Sequence, residues 1–476
     1  MKKYIYTLLA TLFVPYVLTS CSKDDDDEVQ ITENCIITKF TLGQLKRSMY
    51  LKTTAGMDSI YTTTFSASSF PLTIDQQALT IENRDSLPTR TRLDKVLTSV
   101  VFDGVLVWRP ADLTNVEDTA WQKYDSKDSL DMSKPLHFRV ISNSGNSSRI
   151  YTVKINVHQQ HGDSTIWHNM GETELLEGIN ERKALAWNYK MMIWGRKNDG
   201  KIICLQCPFS PDGGHNILST EGLTSHNTTG AENADVASLQ QMGNSLYMST
   251  TDGKVIASTN GIDWAPTSYP ALAGLRLVAA SEHNLYALRG QELLTSNGDT
   301  WVTEPLDDDA TNLPTGNLNS VFTSISNKEG RLMLVGSRNS TDQTATVWCK
   351  RWDNDEENIE TWFYYTPNGT DKYRCPMMDQ LCVLSYDNGL QALGGRSRDG
   401  RYAALDSIFH SSDQGVTWKT YTNNDMNVDA ELHAQAQTAR YITATADYYN
   451  YLWLIVDKNI WYGRINRMGF LRPDRY

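Results

Sequence analysis

The stretch Ser411-Ser412-Asp413-Gln414-Gly415-Val416-Thr417-Trp418 has the composition of a tight hairpin between two strands of a sheet. An aspartate at the third position can accept hydrogen bonds from backbone N–H groups of the turn, and glycine supplies a positive φ. The tryptophan that follows can bury its ring between packed sheets. We therefore predict a structural turn between a third and a fourth strand, held by Ser411, Asp413, Gly415 and Trp418.

Two repeats extend this pattern along the chain. Shorter forms of the hairpin stretch, with asparagine in place of aspartate, occur at 258–264 and 295–301, and Thr361-Trp362 is interpreted as a remnant of a fourth. The second repeat is an apolar strand that carries Leu or Met followed by a second large residue. It occurs at Met191-Met192, Leu246-Tyr247, Leu285-Tyr286, Leu332-Met333, Leu390-Gln391 and Leu452-Trp453. Propeller blades of four strands recur about every 40–50 residues. Six instances predict a six-bladed β-propeller over residues 165–476.

The end of the chain offers one strand too few for a complete sixth blade. Strand patterns occur at 441–446, 451–456 and 459–465, and a short tail follows. The segment Thr165–Asn169, which precedes the first full blade, is the candidate for the missing fourth strand. We therefore expect the two ends of the propeller sequence to close the ring together.

The hairpin stretch fits the Asp-box pattern, and residues 165–476 resemble the sialidase-like, Asp-box (BNR-repeat) propellers. In those propellers the boxes lie away from the central mouth. The resemblance therefore implies that Ser411, Asp413, Gly415 and Trp418 have a structural role and take no part in catalysis.

Residues 29–158 form a separate block with the pattern of a β-sandwich. Leu136, Phe138 and Val140 alternate with polar residues, a turn signal follows, and residues 151–157 alternate again, which is typical of a hairpin with one buried face. Earlier strands are expected at 36–42, 72–74, 78–81 and 100–108, and several short strands favour a sandwich. The end of the block resembles Ig-like modules, which serve as spacers. Residues 159–164 are interpreted as a linker.

The first 28 residues carry the pattern of an exported lipoprotein. A basic start and a short apolar run broken by Pro15 indicate a signal peptide over residues 1–20 and not a membrane span, because a spanning helix needs about twenty apolar residues. Leu-Thr-Ser before Cys21 resembles a lipobox, so Cys21 is the expected lipidation site. The acidic run over 21–28 is a solvated tether and resembles the export signal of Bacteroidetes surface lipoproteins. The signal, Ig-like module and propeller together resemble a Bacteroidetes lipoprotein family of unknown function. This resemblance implies lipid anchoring in the outer membrane, facing the cell exterior.

Charge and cysteine content restrict the partners. A net charge of −12 opposes binding to phosphate backbones, so no nucleic acid partner is expected. Cys204 and Cys207 form a CxxC, but residues three apart on a strand point to opposite faces. Neither a second CxxC nor a histidine pair follows, so no metal or other cofactor is expected. Cys375 and Cys382 could pair across a loop, which the sequence does not decide.

We expect no catalytic residues. The arginine triad, the tyrosine–glutamate pair and the early Phe-Arg-Ile-Pro-like segment of a sialidase are not recognisable, and the acidic runs at 307–309 and 353–356 have the character of solvated loops. The chain is therefore interpreted as a binding module for a glycan or another extracellular ligand, such as a protein. The alternatives are a sialidase-like glycoside hydrolase and a structural subunit of an outer-membrane assembly.

Long insertions predict which face of the propeller binds the ligand. In a four-stranded blade, the loops from the second to the third strand and those between blades open on one side. The insertions at 208–236, 305–320, 336–344, 367–380, 395–405 and 423–438 are assigned to these loops, and only 353–360 is assigned to the other side. Long loops on a rigid scaffold often hold binding residues. The residues expected to contact a ligand there are Tyr373, Arg374, Arg396, Arg398, Arg401 and Tyr402.

Overall fold

Two compact units follow one another along the chain, and the division falls between His158 and Gln159. The computed structural model describes residues 33–52, 58–112, 120–209, 222–325, 329–353, 360–367, 373–420 and 427–470. The predictions for residues 1–28, including lipidation of Cys21, lie outside these residues. In the part of the chain that is described, no helix combines the length and apolar character needed to cross a bilayer.

The first unit is a β domain with one shared core. Its strands are β1 Ile37–Leu42, β2 Gln44–Lys52, β3 Asp58–Ser66, β4 Leu72–Asp75, β5 Thr80–Asn83, β6 Thr91–Arg92, β7 Thr98–Phe102, β8 Val105–Pro110, β9 Gln122–Lys123, β10 Leu136–Ile141 and β11 Ser148–Lys154. They form a pair (β1–β7), a three-stranded sheet (β3-β2-β6) and a six-stranded sheet (β4-β5-β11-β10-β8-β9). The side chains of Leu136, Phe138 and Val140 are buried in one cluster with Tyr151 and Val153.

The first unit confirms the strongest period-2 pattern and corrects a weaker one. The predicted hairpin is β10–β11, in which Leu136 pairs with Val153 and Phe138 with Tyr151. The expected single strand over 100–108 is wrong, because the chain turns after Phe102 and divides it into β7 and β8 of different sheets. The β2–β3 hairpin was not predicted, since its sequence is largely polar and lacks a clear apolar face.

The second unit is a β-propeller of six four-stranded antiparallel blades, as predicted. Each Leu or Met pair of the repeat lies on the second strand of a blade. Blades 1–3 consist of β13 Ile179–Trp187, β14 Lys190–Lys197, β15 Ile202–Pro208 and β16 Thr224–Asn227; β17 Gln240–Met242, β18 Ser245–Ser249, β19 Val255–Ser258 and β20 Ala265–Pro266; and β21 Leu275–Ala280, β22 Leu285–Arg289, β23 Glu292–Ser296 and β24 Val302–Thr303.

Blades 4 and 5 consist of β25 Gly316–Ser324, β26 Glu329–Ser337, β27 Thr346–Asp353 and β28 Phe363–Tyr364; and β29 Cys382–Tyr386, β30 Gly389–Leu393, β31 Phe409–Ser411 and β32 Lys419–Thr420. A short helix, α1 Ala430–Thr438, precedes blade 6. Asp429 caps this helix, because its carboxylate accepts a hydrogen bond from the Glu431 N–H at 2.8 Å.

Blade 6 closes the ring with strands from both ends of the propeller sequence. It contains β33 Ile442–Ala446, β34 Leu452–Val456, β35 Asn459–Ile465 and, as its outer strand, β12 Thr165–Glu172. Thr165 pairs with Ile465 and Trp167 with Gly463. The expected closure by the segment before the first full blade is therefore confirmed.

Apolar side chains of neighbouring blades pack together between the sheets. One such cluster joins Met333 and Val347 of blade 4 to Leu390, Phe409 and Trp418 of blade 5. Because each blade packs on the next around the ring, the scaffold holds the connecting loops in fixed relative positions.

Candidate functional site

The strand order gives the propeller two ends that carry different connections. Because each blade is an antiparallel meander, the turns from second to third strand and the links between blades open at one end, which we call the linker face. The turns from first to second and from third to fourth strand open at the other end, the turn face. Of the connections predicted for the linker face, 305–320, 336–344 and 395–405 lie there, as do the described parts of 367–380 and 423–438.

The sixth predicted insertion, 208–236, is divided between the two faces. Its first part joins β15 to β16, a third-to-fourth connection on the turn face, and only the part after Asn227 links blade 1 to blade 2. The prediction missed β16 because this strand is short and polar, Thr-Ser-His-Asn, and has no apolar alternation.

A pocket of about 490 Å³ opens on the linker face, where blades 1, 2 and 3 meet. Five charged residues line it, together with the hydroxyl residues Ser249, Thr250 and Thr251. The charged residues are Glu181, Arg196, Glu232, Asp235 and Arg276. This volume lies within the range of about 300–1,000 Å³ that is usual for small-molecule sites.

Arg196 is fixed by partners on two sides. Its Nε donates to the Glu181 carboxylate at 3.0 Å, and its two Nη atoms donate to the carbonyl oxygens of Gly200 at 3.0 Å and Ala234 at 2.5 Å. It therefore ties the end of β14 to the link between blades 1 and 2. Because its geometry is already set, the guanidinium presents a pre-organised surface to the pocket.

Arg276 and Asp235 form the second ion pair of the pocket. The Arg276 Nε donates to the Asp235 carboxylate at 2.8 Å, and that carboxylate also accepts from the Ala237 N–H at 3.0 Å. Asp235 thereby caps the 3₁₀ turn Val236–Ser238. The pair joins the first strand of blade 3 to the link before blade 2, so it forms only when the blades pack.

Lys183 lies beside these groups on the first strand of blade 1. Its side chain is half-buried, and burial lowers the pKa of its ammonium group; a nearby Cys382 and Asp235 oppose this shift, and Arg276 adds to it. Among the residues that the structure describes, Lys183 has no hydrogen-bond or ion-pair partner. Lys183 is therefore a partly buried amine close to the Arg276–Asp235 pair that makes no polar contact of its own with the described residues.

The predicted contact residues lie on the linker face but in blades 4 and 5, away from this pocket. Arg398 donates to the Asn339 carbonyl at 2.9 Å and Arg374 to the Thr344 hydroxyl at 3.3 Å, so both brace the 338–345 loop of blade 4. Tyr402 packs edge-on against Phe409 with ring centroids 5.0 Å apart. These three side chains have structural contacts in the loops.

The other three predicted contact residues are exposed. Arg396 is exposed, and Arg401 is 65% exposed with its Nε 2.5 Å from the Asp399 carboxylate. Tyr373 is 50% exposed beside Lys419, whose ammonium lies 5.0 Å from the ring centroid. Arg396 and Arg401 therefore remain accessible to a ligand on the linker face.

The Ser411–Trp418 turn is closed by its own side chains. The Ser411 hydroxyl donates to Asp413 and accepts from the Gly415 N–H, both at 2.8 Å, and Asp413 also accepts from the Thr417 N–H at 2.8 Å. Gly415 has a φ of +91° and approaches Val347 of the previous blade, so a side chain there would be strained. Trp418 is 2% exposed.

The described cysteines lie in apolar surroundings. Cys204 packs on the side of β15 that faces blade 2 and Cys207 on the opposite side, as their spacing predicts. Burial raises the pKa of Cys204 to about 12 and that of Cys207 to about 11. Cys375 and Cys382 are both free thiols. Among the described residues there is no group of three or more His, Cys, Asp or Glu that could hold a metal ion.

Sequence reasoning did not assign the pocket. Arg196 and Arg276 both lie at linker-face ends of strands, Arg196 near the end of a second strand and Arg276 near the start of a first. Their positions relative to the repeated second strand are the sequence feature that could have identified them. It could not have shown that blades 1–3 bring them together, because that depends on how the blades pack.

Two family models match the chain. Residues 161–473 match the DUF6242 beta propeller domain, and residues 40–155 match the N-terminal domain of the domain of unknown function DUF6242. Comparison with curated proteins gives no match.

Several solved structures are similar to this chain over about three fifths of its length. YCF48 bound to D1 peptide is 12% identical, with 63% of this chain and 96% of that chain covered and a TM-score of 0.37. SapL1 lectin in complex with alpha methyl fucoside is 11% identical, with 60% and 91% covered and a TM-score of 0.33. Trypanosoma rangeli sialidase is 10% identical, with 61% and 54% covered and a TM-score of 0.33. At these identities the likeness concerns the fold alone. With both of its domains matched by the family models, the chain belongs to the DUF6242 family.

Proposed function

We propose that this protein is a cell-surface binding module whose ligand, a glycan or another polar extracellular molecule, occupies the linker-face pocket of blades 1–3. The observation that supports this most directly is the pocket lining, in which two guanidinium–carboxylate pairs stand beside three hydroxyl side chains. Fixed donors and acceptors of this kind match the hydroxyl groups of a sugar, because each polar ligand group finds a partner without reorganising the site.

The pairing of two pocket carboxylates favours binding over glycoside hydrolysis. Glu181 lies 3.0 Å from Arg196 and Asp235 lies 2.8 Å from Arg276. A glycosidase needs a pair of carboxyl groups free to act on the scissile bond. Because each of these two carboxylates is already engaged by an arginine, they are better placed to accept hydrogen bonds from the hydroxyl groups of a ligand.

We also propose that Cys21 anchors the chain to the outer membrane and that the N-terminal domain is an Ig-like spacer that holds the propeller outside the cell. The support lies in the sequence of residues 1–28, with its signal, lipobox and acidic tether. The Ser411–Trp418 turn is proposed to be an Asp box with a structural role, on the strength of its internal hydrogen bonds.

A glycan array tests the proposed function, with the chain lacking residues 1–28 as the probe. We expect binding that weakens at least tenfold in Arg276→Gln, since buried interface arginines commonly contribute more than 1 kcal/mol. Arg351→Gln is the matched control: Arg351 is also ion-paired and has a similar exposure, 35% against 37%, but it lies on the turn face. Equal loss in both variants would contradict the proposal, and binding to no glycan would exclude a glycan as the ligand.

A further inference from the structure

Strand β3 forms an open edge of the three-stranded sheet in the first unit. This sheet has the order β3-β2-β6, so one side of β3 pairs with β2 and no described strand pairs with the other side. β3 contains nine residues, and its register with β2 runs from Asp58 to Ser66 without a bulge. Ile60, Thr62 and Thr64 are exposed, Ile60 by 64%. The edge is therefore long, regular and accessible.

The hydrogen bonds of β2 show which backbone groups of β3 point to the open side. The Ser48 N–H donates to the Arg90 carbonyl at 3.2 Å, on the β6 side of β2 and away from β3. Ser48 lies opposite Thr62, and successive residues of an antiparallel strand direct their backbone groups to alternate sides. Thr62 therefore points its N–H and C=O away from β2, as do Ile60 and Thr64, two residues to either side.

Several other sheet edges have features that hinder pairing with another chain. The outer strands of blades 2–5 have two residues each. The outer strand of blade 6, β12, is interrupted by a register shift. At the far edge of the β3 sheet, β6 has two residues, one of them Arg92. Short strands, bulges and charged residues commonly protect an edge. In β3 the one charged residue is Asp58, at the end of the strand.

The sequence of β3 can pair with itself across a two-fold axis at Thr62. With two copies placed antiparallel, Thr62 faces Thr62 of the second copy and Ile60 faces Thr64. All three residues direct their N–H and C=O groups to the shared edge, so each donor meets an acceptor. Asp58 faces Ser66, so no like charges lie opposite one another. A two-fold contact requires one patch that is complementary to itself, and β3 meets this condition.

We propose that β3 is the contact between two copies of this chain, which pair antiparallel about Thr62 and join their three-stranded sheets into one. The backbone groups that a single chain leaves to water become paired, and the exposed Ile60 side chain lies beside Thr64 of the second copy. One strand pair is a small contact, and interfaces below about 1,200 Å² are usually weak. We therefore expect a reversible dimer. The inference is independent of the ligand that the propeller binds.

A cysteine at the two-fold axis tests this register on the full-length chain purified in detergent. Residues opposite each other in a hydrogen-bonded antiparallel pair have Cα atoms about 5.5 Å apart, which a disulfide can bridge. Oxidised with copper–phenanthroline, Thr62→Cys should therefore give a covalent dimer on a non-reducing gel. Ser59→Cys is the matched control, because Ser59 is also exposed on β3 but would lie about 20 Å from its counterpart, at about 3.4 Å per residue. The wild type controls for the native cysteines.

Thr62→Lys tests the contact without a new thiol. Two lysines would face each other across the axis, and like charges directly opposite on paired strands oppose association. We expect the dissociation constant of the dimer, measured by sedimentation equilibrium in density-matched detergent, to rise at least tenfold. Ser59→Lys, which would face Phe65 of the second copy, should change it little. Both positions are exposed, so the melting temperatures should stay near that of the wild type.

The outcomes decide between a second copy and other occupants of the edge. A chain that stays monomeric at every concentration and gives no cross-link in Thr62→Cys overturns the inference. Equal cross-linking of Thr62→Cys and Ser59→Cys, or a dimer that Thr62→Lys leaves unchanged, would assign the contact to another register or surface and also overturn it. Dimerisation only after removal of residues 22–32 would show that the chain covers β3 with its own N-terminal segment. None of these results bears on glycan binding, which the array tests separately.

Discussion

The backbone N–H of Trp418 donates a hydrogen bond to the carbonyl oxygen of Tyr373 at 2.7 Å, which ties the turn of blade 5 to the segment that leaves blade 4. The same contact recurs elsewhere in the ring. The Trp264 N–H donates to the Thr229 carbonyl and the Trp362 N–H to the Pro305 carbonyl, both at 2.9 Å. In each case the tryptophan that follows the turn after a third strand holds the chain that leaves the preceding blade, and we call this contact the clamp. Tyr373, whose side chain was predicted to contact a ligand, takes part in one clamp through its backbone carbonyl.

Trp418→Ala should therefore destabilise the propeller by about 3–5 kcal/mol, the usual cost of deleting a large core aromatic side chain. The lost contacts are those of a 2%-exposed ring between blades 4 and 5. Ser411→Ala should cost less, because it removes two hydrogen bonds of the turn and no large apolar surface. Thermal and urea unfolding measure both. Val416→Ala is the control, since Val416 lies in the same turn and is 49% exposed. If Val416→Ala destabilised the protein as much as Trp418→Ala, the structural role of the Trp418 ring would be contradicted.

Asp413→Asn should destabilise the fold in a pH-dependent way. Although burial acts to raise it, hydrogen bonds from Thr417 and Ser411 outweigh this and lower the pKa of the Asp413 carboxyl below its usual 3.8. The folded state therefore binds the proton less tightly than the unfolded state. The stabilisation is present above about pH 4 and is lost as pH falls through the folded pKa. Unfolding midpoints between pH 7 and pH 3 should converge for wild type and variant.

The control for this pH dependence is Asp299→Asn. Asp299 lies in the corresponding turn of blade 3 and makes no hydrogen bond with the described residues. Replacing Asp299 should change the unfolding midpoint only slightly, and by the same amount at every pH. A parallel offset between wild type and Asp413→Asn down to pH 3 would show that the Asp413 carboxylate has no role in holding the turn.

Gly463→Ala should weaken ring closure. A Cβ at this position would lie 2.5 Å from the Trp167 ring, whose indole N–H donates to the Asn427 carbonyl at 2.7 Å. The Trp167 indole would have to move away from the β12–β35 pair, and overpacking of this kind typically costs about 1–3 kcal/mol of stability. Urea unfolding measures the change. Gly222→Ala is the control, because a Cβ there meets nothing within 4 Å; equal stability of the two variants would argue against close packing at the closure.

The two candidate regions of the linker face can be compared directly. Arg396→Ala with Arg401→Ala tests the predicted region of blades 4 and 5, and Arg276→Gln tests the pocket. Tyr402 is left intact, because its ring packs on Phe409 and its removal would disturb the loop. We expect ligand binding to be lost in the pocket variant and retained in the double variant, with melting temperatures near that of the wild type. The reverse result would assign the site to blades 4 and 5.

Cys21→Ala should release the protein from membranes. Two acyl chains give stable anchoring where one gives only marginal binding, and Cys21 is the acylation site that the lipobox identifies. Cell fractionation followed by a high-salt wash measures the effect. Membrane association that persists in the variant would contradict lipidation at this residue, and Cys35→Ala, which replaces a buried cysteine further along the chain, is the control.

Local patterns in the sequence were sufficient for the scaffold. The hairpin at 136–154, the six second strands and the closing role of Thr165–Asn169 were all predicted. They depend on interactions between residues that are near in sequence, namely period-2 burial and turn chemistry, or on the requirement that a propeller close its ring. Where the local signal was weak the prediction failed, as in the polar strand β16 and in the division of 100–108 into β7 and β8.

The candidate site depended on tertiary structure. Arg196, Asp235 and Arg276 come from the end of a second strand, a link between blades and the start of a first strand, and nothing in their local sequences distinguishes them from other exposed charges. Their pairing follows from the packing of blades 1, 2 and 3 around one axis. Whether a charged side chain belongs to a site depends on the groups around it, and in this pocket those groups come from segments that are distant in sequence and meet only when the blades pack.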